Sequence, residues 1–419
     1  MQAWAQLVDH AVATETSILQ RYLPALKKLL PDVPLTADEL KCCSIQEGSR
    51  VAHVETGFGP PIYICDETSG METGTYKDLD ACLIVAIALA NGVERLVLSS
   101  GGNLGYSLAR YASRVGLEVI AFQPATTLYK LDGSAYANDR IRLISVDLPE
   151  REVKDLALKF AERYALLQVP DPRWRFAASS ARAMFLLENI LRCDPQVRYL
   201  AQTVCAGYGP VGIFKCLSAL ASEGLIQDSQ IPAFIGFQQI ANAPMVNAWN
   251  EGRREIRATH VDAHPEAYLE PGLYNTNPGH NYTRLFNLIK YYGGYLGGID
   301  NKDYERYSGD TVDMLNRAGI ELTRRPNGDY LEKTGLLTGV GILKAIDENR
   351  ISSGEGVVFL LTGGVRRLSG HTEGVIPSMH VDASQAIDTW VESIGEHCGI
   401  GVPDHSKRED LLLRLNRLV

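Results

Sequence analysis

Between residues 61 and 361 the chain alternates short β-rich runs with helical stretches of about ten residues or more. Strands are expected at 61–65, 95–98, 118–122, 141–146, 173–177, 200–205, 233–238 and 357–361. Helices are expected between them at about 79–90, 103–115, 152–164, 181–191 and 211–222. Parallel strands need a long crossover, usually a helix laid back over the sheet, and such crossovers are right-handed. The alternation therefore predicts an α/β chain of doubly wound, mainly parallel open sheets. Ligands in such sheets lie at the carboxyl ends of strands, where helix N-termini point. Three strand-to-helix junctions carry residues that suit that position.

The first junction is Thr73-Gly74-Thr75-Tyr76-Lys77-Asp78, ahead of the apolar helical run 79–90. A lysine at the start of a helix sits at the positive end of the dipole, which disfavours the ammonium and favours a nucleophilic amine. Such an amine forms a Schiff base with an aldehyde; a surface lysine in a hydroxyl-capped turn would read the same way. The second junction, Ser99-Ser100-Gly101-Gly102-Asn103-Leu104-Gly105, follows the run 95–98. The third, Ala206-Gly207-Tyr208-Gly209-Pro210-Val211-Gly212, follows 200–205. Glycines there let backbone amides close on an anion at a helix N-terminus, although a tight turn without a ligand needs glycines too. Pro210 has no N–H and so removes one donor from that cradle. No acidic residue ends a strand about 20 residues on, Glu223 lying in a helical pattern, so a dinucleotide site is disfavoured.

In this order and spacing the three stretches resemble the fold-type II pyridoxal-phosphate enzymes, the tryptophan synthase beta-like superfamily. The nearest likeness is to the threonine synthase and cysteate synthase-like branch, and residues 244–254 resemble the latter in particular. The resemblance covers roughly residues 60–370. It implies two doubly wound open-sheet domains with pyridoxal 5'-phosphate in the crevice between them. Lys77 would hold the cofactor aldehyde and, once freed, remove the substrate α-proton. Asn103 would bond the phenolic oxygen, and Ala206, Gly207, Tyr208, Gly209, Val211 and Gly212 would receive the phosphate. Thr362, in Leu360-Leu361-Thr362-Gly363-Gly364, would face the pyridine nitrogen. A neutral hydroxyl there weakens the electron sink and suits elimination and replacement. Thr75, Ser100, Gly101, Gly102 and Gly105 would bind substrate. Aligned on Asn103, Gly101 and Leu104 replace a serine and a threonine of the family pattern, so two hydroxyl donors are missing and the substrate stays open.

The implied activity is that of a lyase or transferase. It is β-replacement or β-elimination on a small amino acid with a phosphate-type leaving group, through an aminoacrylate. The cysteate synthase-like version uses O-phosphoserine with sulfite or another small nucleophile. Threonine synthase-type chemistry on O-phosphohomoserine, a serine or threonine dehydratase, and a catalytically silent cofactor-binding paralogue remain alternatives. Arg253-Arg254 and Arg366-Arg367 offer forks for the leaving group, and Asn277, His280 and Tyr282 lie in a turn-rich segment placed to roof a site. Surface charges and an ordinary polar loop are the plainer accounts.

With 41 basic against 50 acidic residues the net charge is −9, so no basic face is advertised for nucleic acid. The eight cysteines form no Cys-x-x-Cys pair and no zinc ribbon, a pattern of free thiols in a reducing compartment. No metal is implied. No signal peptide or spanning segment is evident, so a cytoplasmic location is expected. Trp4, Leu7, Val8, Ala11 and Val12 recur at helical spacing. The expected division is an N-terminal helical arm at 1–50 and a large cofactor-binding domain at 51–90 plus 185–381. A smaller mobile domain at 91–184 and C-terminal helices at 382–419 complete it. The family suggests a homodimer.

Overall fold

Parallel strands joined by helices run through almost the whole length of the chain in the computed structural model. It describes residues 5–29, 35–55, 59–99, 102–131, 133–169, 171–261, 264–275, 278–279, 281–366, 375–382 and 386–418. Short helices α1 (Ile18–Arg21), α2 (Leu23–Leu29) and α3 (Ala37–Cys43) come first. Strands β1 (Arg50–Val54) and β2 (Ile62–Asp66) follow, then α4 (Lys77–Ala90), β3 (Arg95–Leu98), α5 (Gly102–Arg114) and β4 (Glu118–Pro124). Next are α6 (Gly133–Tyr136), β5 (Ile141–Val146), α7 (Glu150–Tyr164), β6 (Leu167–Val169) and α8 (Pro172–Leu186), which continues as a π-helical turn over Leu187–Leu191. Then come β7 (Val197–Thr203), α9 (Tyr208–Ser222), β8 (Ala233–Gln239), α10 (Pro244–Asn250) and α11 (Asn281–Tyr292). The chain goes on through β9 (Gly294–Ile299), α12 (Asn301–Arg317), α13 (Thr334–Asp347) and β10 (Gly356–Leu361). It closes with β11 (Met379–Val381), α14 (Ile387–His397) and α15 (His405–Leu418).

Two compact units divide these elements. The first comprises residues 1–26, 46–76 and 176–367. Its six-stranded sheet runs β1-β2-β10-β7-β8-β9, and the β1–β2 pair is antiparallel while the other pairs are parallel. All of β10 is buried, as expected of a central strand with both faces covered. Helices α12 and α13 cover one face, where Leu336, Leu337, Val340 and Met314 meet Phe237, Phe359 and Ile235. The second unit comprises residues 27–45, 77–175 and 368–419, and its five-stranded sheet runs β11-β5-β4-β3-β6, parallel throughout. Phe122, Phe160, Tyr164, Trp390 and Ile394 form the core between that sheet and helices α7 and α14. Burying Phe122 and Phe160 at 1% and 0% exposure contributes roughly 1.5–3 kcal/mol each. Helix α4 is buried continuously from Asp78 to Ala88 and packs on α3 and α5. It therefore groups with residues 77–175, whereas the sequence reading placed 77–90 with the large domain.

Two local expectations change. Residues 173–177, expected as a strand, form the first turns of α8. Pro172 is the first helical residue and Asp171 Oδ1 accepts the Arg173 N–H at 2.7 Å, so a helix start overrides the β preference of Trp174 and Phe176. Among the described residues, Ala5 is helical and 6–16 are turns and irregular backbone rather than the continuous helix expected, before a helix begins at Ile18 behind its N-cap Ser17. Among the described residues no helix is long and apolar enough to cross a membrane.

Candidate functional site

In the first unit the turn ahead of Lys77 is stitched to the chain leaving β10. Gly74 has φ +76°, and a Cβ there would lie 2.0 Å from Val365 O, so both the conformation and the close approach require glycine. Thr75 forms an antiparallel bridge with Gly363, and the Tyr76 N–H donates to Thr362 O at 3.4 Å. Arg366 Nε donates to Thr73 O at 3.1 Å, and its N–H donates to Thr323 Oγ1 at 2.8 Å. Thr75 and Thr362 are 1% and 2% exposed. Arg366 thus braces the lysine turn.

Behind the turn lies a buried pair that the sequence reading missed. Arg182 on α8 donates from Nε and Nη2 to Glu67 Oε1 and Oε2, both at 2.6 Å, in the bidentate arrangement that makes such pairs strong. Its Nη2 also reaches Gln202 Oε1 at 3.2 Å, and its Cζ stands 4.2 Å from the Tyr76 ring centroid. Burial opposes the charge on Arg182, but Glu67 outweighs it and holds the guanidinium above its ordinary value. The available signal was a lone cation in the run Phe176–Leu187, otherwise made of small and apolar residues.

The glycine loop joins β7 to α9. Gly207, at φ +76°, is the left-handed N-cap of α9, and no side chain caps that helix. Asn281 Nδ2 donates to Ala206 O at 3.0 Å and braces the loop, while Val211 is buried and Tyr208 packs its ring 5.5 Å from that of Phe176. A Cβ on Gly209 would stand 2.6 Å from Arg182 Nη1 and 3.2 Å from Tyr76 Oη. A Cβ on Gly212 would stand 2.5 Å from Ser179 Cβ on α8. The three glycines thus serve different needs: backbone conformation, room for Arg182, and helix-to-helix contact.

In the second unit Lys77 is the first residue of α4. Its Nζ lies 3.4 Å from Asp80 Oδ2, an oxygen that Arg175 Nε also approaches at 3.2 Å. Asp78 and Asp80 both lie in the first turn of α4, the favourable end of the dipole for carboxylates. Gly102, Asn103 and Gly105 form the first turn of α5 directly after β3. Ser100 and Gly101, expected to bind substrate, lie outside the described residues, as do Asn277, His280 and Arg367.

Within the first unit, then, Thr75, Tyr76, Thr362 and Gly209 come together. The Arg253 side chain is 48% exposed and faces Glu251 at 3.7 Å, a surface arrangement. Tyr282 is buried and donates from Oη to Arg253 O at 2.6 Å, so its phenol holds α11 to the chain after α10. Each unit by itself carries residues that fit pyridoxal phosphate: in the second a lysine opens a helix, and in the first a glycine-led helix N-terminus without a side-chain cap suits an anion.

The family described as pyridoxal-phosphate dependent enzyme matches residues 50–311. The cysteate synthase of Methanocorpusculum labreanum is 23% identical over 293 residues, covering 70% of this chain and 69% of that one. The threonine synthase of Mycobacterium leprae is 22% identical over 299 residues, covering 70% and 73%. The processed form of threonine deaminase isoform 2 from Solanum lycopersicum shares the fold with a TM-score of 0.58 at 16% identity, covering 83% of this chain and 91% of that one. With well over half of its length matched by the family, Lys77, Asn103 and the glycine loop included, the chain belongs to the pyridoxal-phosphate dependent enzymes and takes pyridoxal 5'-phosphate as its cofactor.

Proposed function

We propose that the enzyme replaces a phosphate-type group at Cβ of a small amino acid, with O-phosphoserine as donor and sulfite or another small nucleophile as acceptor. The observation that carries this reading is the stitching of the Lys77 turn to the end of β10, where Thr75 bridges Gly363 and the Tyr76 N–H donates to Thr362 O. It links the turn bearing the amine to the strand end bearing a buried, neutral hydroxyl. The likeness to cysteate synthases supports the choice of donor.

When bound, the cofactor supplies an aldehyde and an electron-withdrawing ring. Lys77 Nζ takes the proton from substrate Cα and later returns one. Asp80, shared with Arg175, steadies that nitrogen between the two transfers. Thr362 would offer its hydroxyl to the bound cofactor as a neutral partner, a setting that would favour loss of a good leaving group over transamination. Thr75 and the amides of Gly102 and Gly105 would receive the substrate carboxylate, and Asn103 would help to hold the cofactor. Gly207, Tyr208, Gly209, Val211 and Gly212 would hold the phosphate with Ala206. The enzyme acts in this reading as a homodimer on small molecules.

The test is a titration of the purified holoenzyme with O-phosphoserine and O-phosphohomoserine, following visible absorbance and phosphate release. O-phosphoserine should shift the absorbance and release phosphate, and added sulfite should yield cysteate. A response to O-phosphohomoserine alone would replace this reading with threonine synthase-type chemistry. No response to any amino acid would point to a catalytically silent protein.

A further inference from the structure

We propose that Arg182 is a phosphate ligand of the bound cofactor, its Nη1 standing in for the backbone donor that Pro210 lacks. This rests on the cofactor phosphate lying at the N-terminus of α9, as the proposed function has it.

Two of the three guanidinium nitrogens are committed. Nε and Nη2 are held by Glu67 and Gln202. Nη1 is buried and has no hydrogen-bond acceptor among the described residues, although the side chain is 0% exposed. A buried charged donor without an acceptor is costly, and in an otherwise satisfied cluster it calls for one. The nitrogen is directed at the first turn of α9, 2.6 Å from where a Gly209 Cβ would be.

That turn asks for such a donor. Helix α9 is 15 residues long, begins after a left-handed glycine and has no side-chain cap, so its positive end is available to an anion. Tyr208, Gly209 and Pro210 are its first three residues, and the third offers no N–H. Arg182 Nη1 carries two N–H groups beside this gap. Glu67 prevents the guanidinium from turning away, and the Tyr76 ring covers one of its faces. The charge of the Arg182–Glu67 pair sums to zero, so the site gains a directed donor without a large unbalanced charge in the core. The ligand class is a phosphate monoester, here that of the cofactor.

The experiment compares pyridoxal phosphate with pyridoxal on the full-length apoprotein, by absorbance or fluorescence titration. Both aldehydes condense with Lys77, so the ratio of their dissociation constants isolates the phosphate. Arg182→Met alone would strand the Glu67 charge in the core, so it is made together with Glu67→Gln. The double variant should lose about tenfold or more of the preference for the phosphorylated ligand, the worth of a hydrogen bond to a charged group, with pyridoxal affinity unchanged. An unchanged preference, or an equal loss for both ligands, would overturn the proposal. Gly209→Ala keeps the ion pair and puts a methyl against Nη1. It should show the same selective loss, and its failure to do so would overturn the proposal even if the double variant does not fold. A parent protein that binds neither aldehyde would instead refute the cofactor reading itself.

Discussion

At Lys77 a single nitrogen shares one carboxylate oxygen with a competing arginine, and the turn before it admits only glycine at Gly74. Lys77→Ala should abolish the visible absorbance of the bound cofactor and lower turnover by about 10²–10⁴-fold, the usual worth of a positioned base. A variant that stays coloured and active would remove Lys77 from the chemistry. Lys77 and the glycine loop were legible because their signals are local: turn residues at a strand-to-helix junction. Arg182 and Glu67 were not, because they are 115 positions apart and meet only through tertiary packing. The same packing explains Gly209, which reads in sequence as part of an anion cradle and in the structure also leaves room for the Arg182 head.

Among elements, the contact between α8 and α9 depends on Gly212, whose position leaves no room for a side chain against Ser179 and the Phe176 carbonyl. Gly212→Val should lower stability by about 1–3 kcal/mol through overpacking, read as a fall in thermal midpoint. An unchanged midpoint would show that the two helices separate freely. Most strands and helices were legible from periodicity, since parallel strands buried on both faces leave short apolar runs. The failures have physical causes. Residues 171–177 hold an Asp-Pro helix start whose signal was outweighed by aromatic residues. Strand β9 is not among the expected strands, because three of its six residues are glycines, which weaken a strand pattern. In the structure a Cβ on Gly294 would stand 1.9 Å from Phe234 O, so glycine is what allows β9 to lie against β8.

For the whole molecule, acid stability draws on two carboxylates that are buried or half-buried and ion-paired among the described residues. Asp66 and Glu188 are held below their ordinary values of 3.8 and 4.5. Burial opposes their charge, and hydrogen bonds from Ser69, Thr68 and Arg50 to Asp66, and from Arg21 and Tyr22 to Glu188, outweigh it. Their stabilisation is complete above those ordinary values and is lost as pH falls through the lower folded-state values. Glu270 works in the opposite sense: burial and Glu332 raise it, so it adds stability as pH falls from its folded-state value towards 4.5 and nothing further below that. The thermal midpoint should not fall between about pH 7 and pH 5, where Glu270 adds stability, and should drop below about pH 4. A level midpoint down to about pH 3 would contradict the assignment. The strand order has a consequence for biosynthesis. β10 separates β2 from β7, yet it is translated after both, so as the chain leaves the ribosome the first sheet must wait for its middle strand. Strands β3 to β6 are contiguous in sequence and can pair while translation continues. Until β10 emerges, the open edges of β2 and β7 are templates for mispairing, which makes a stalled or prematurely ended chain a natural client for chaperones.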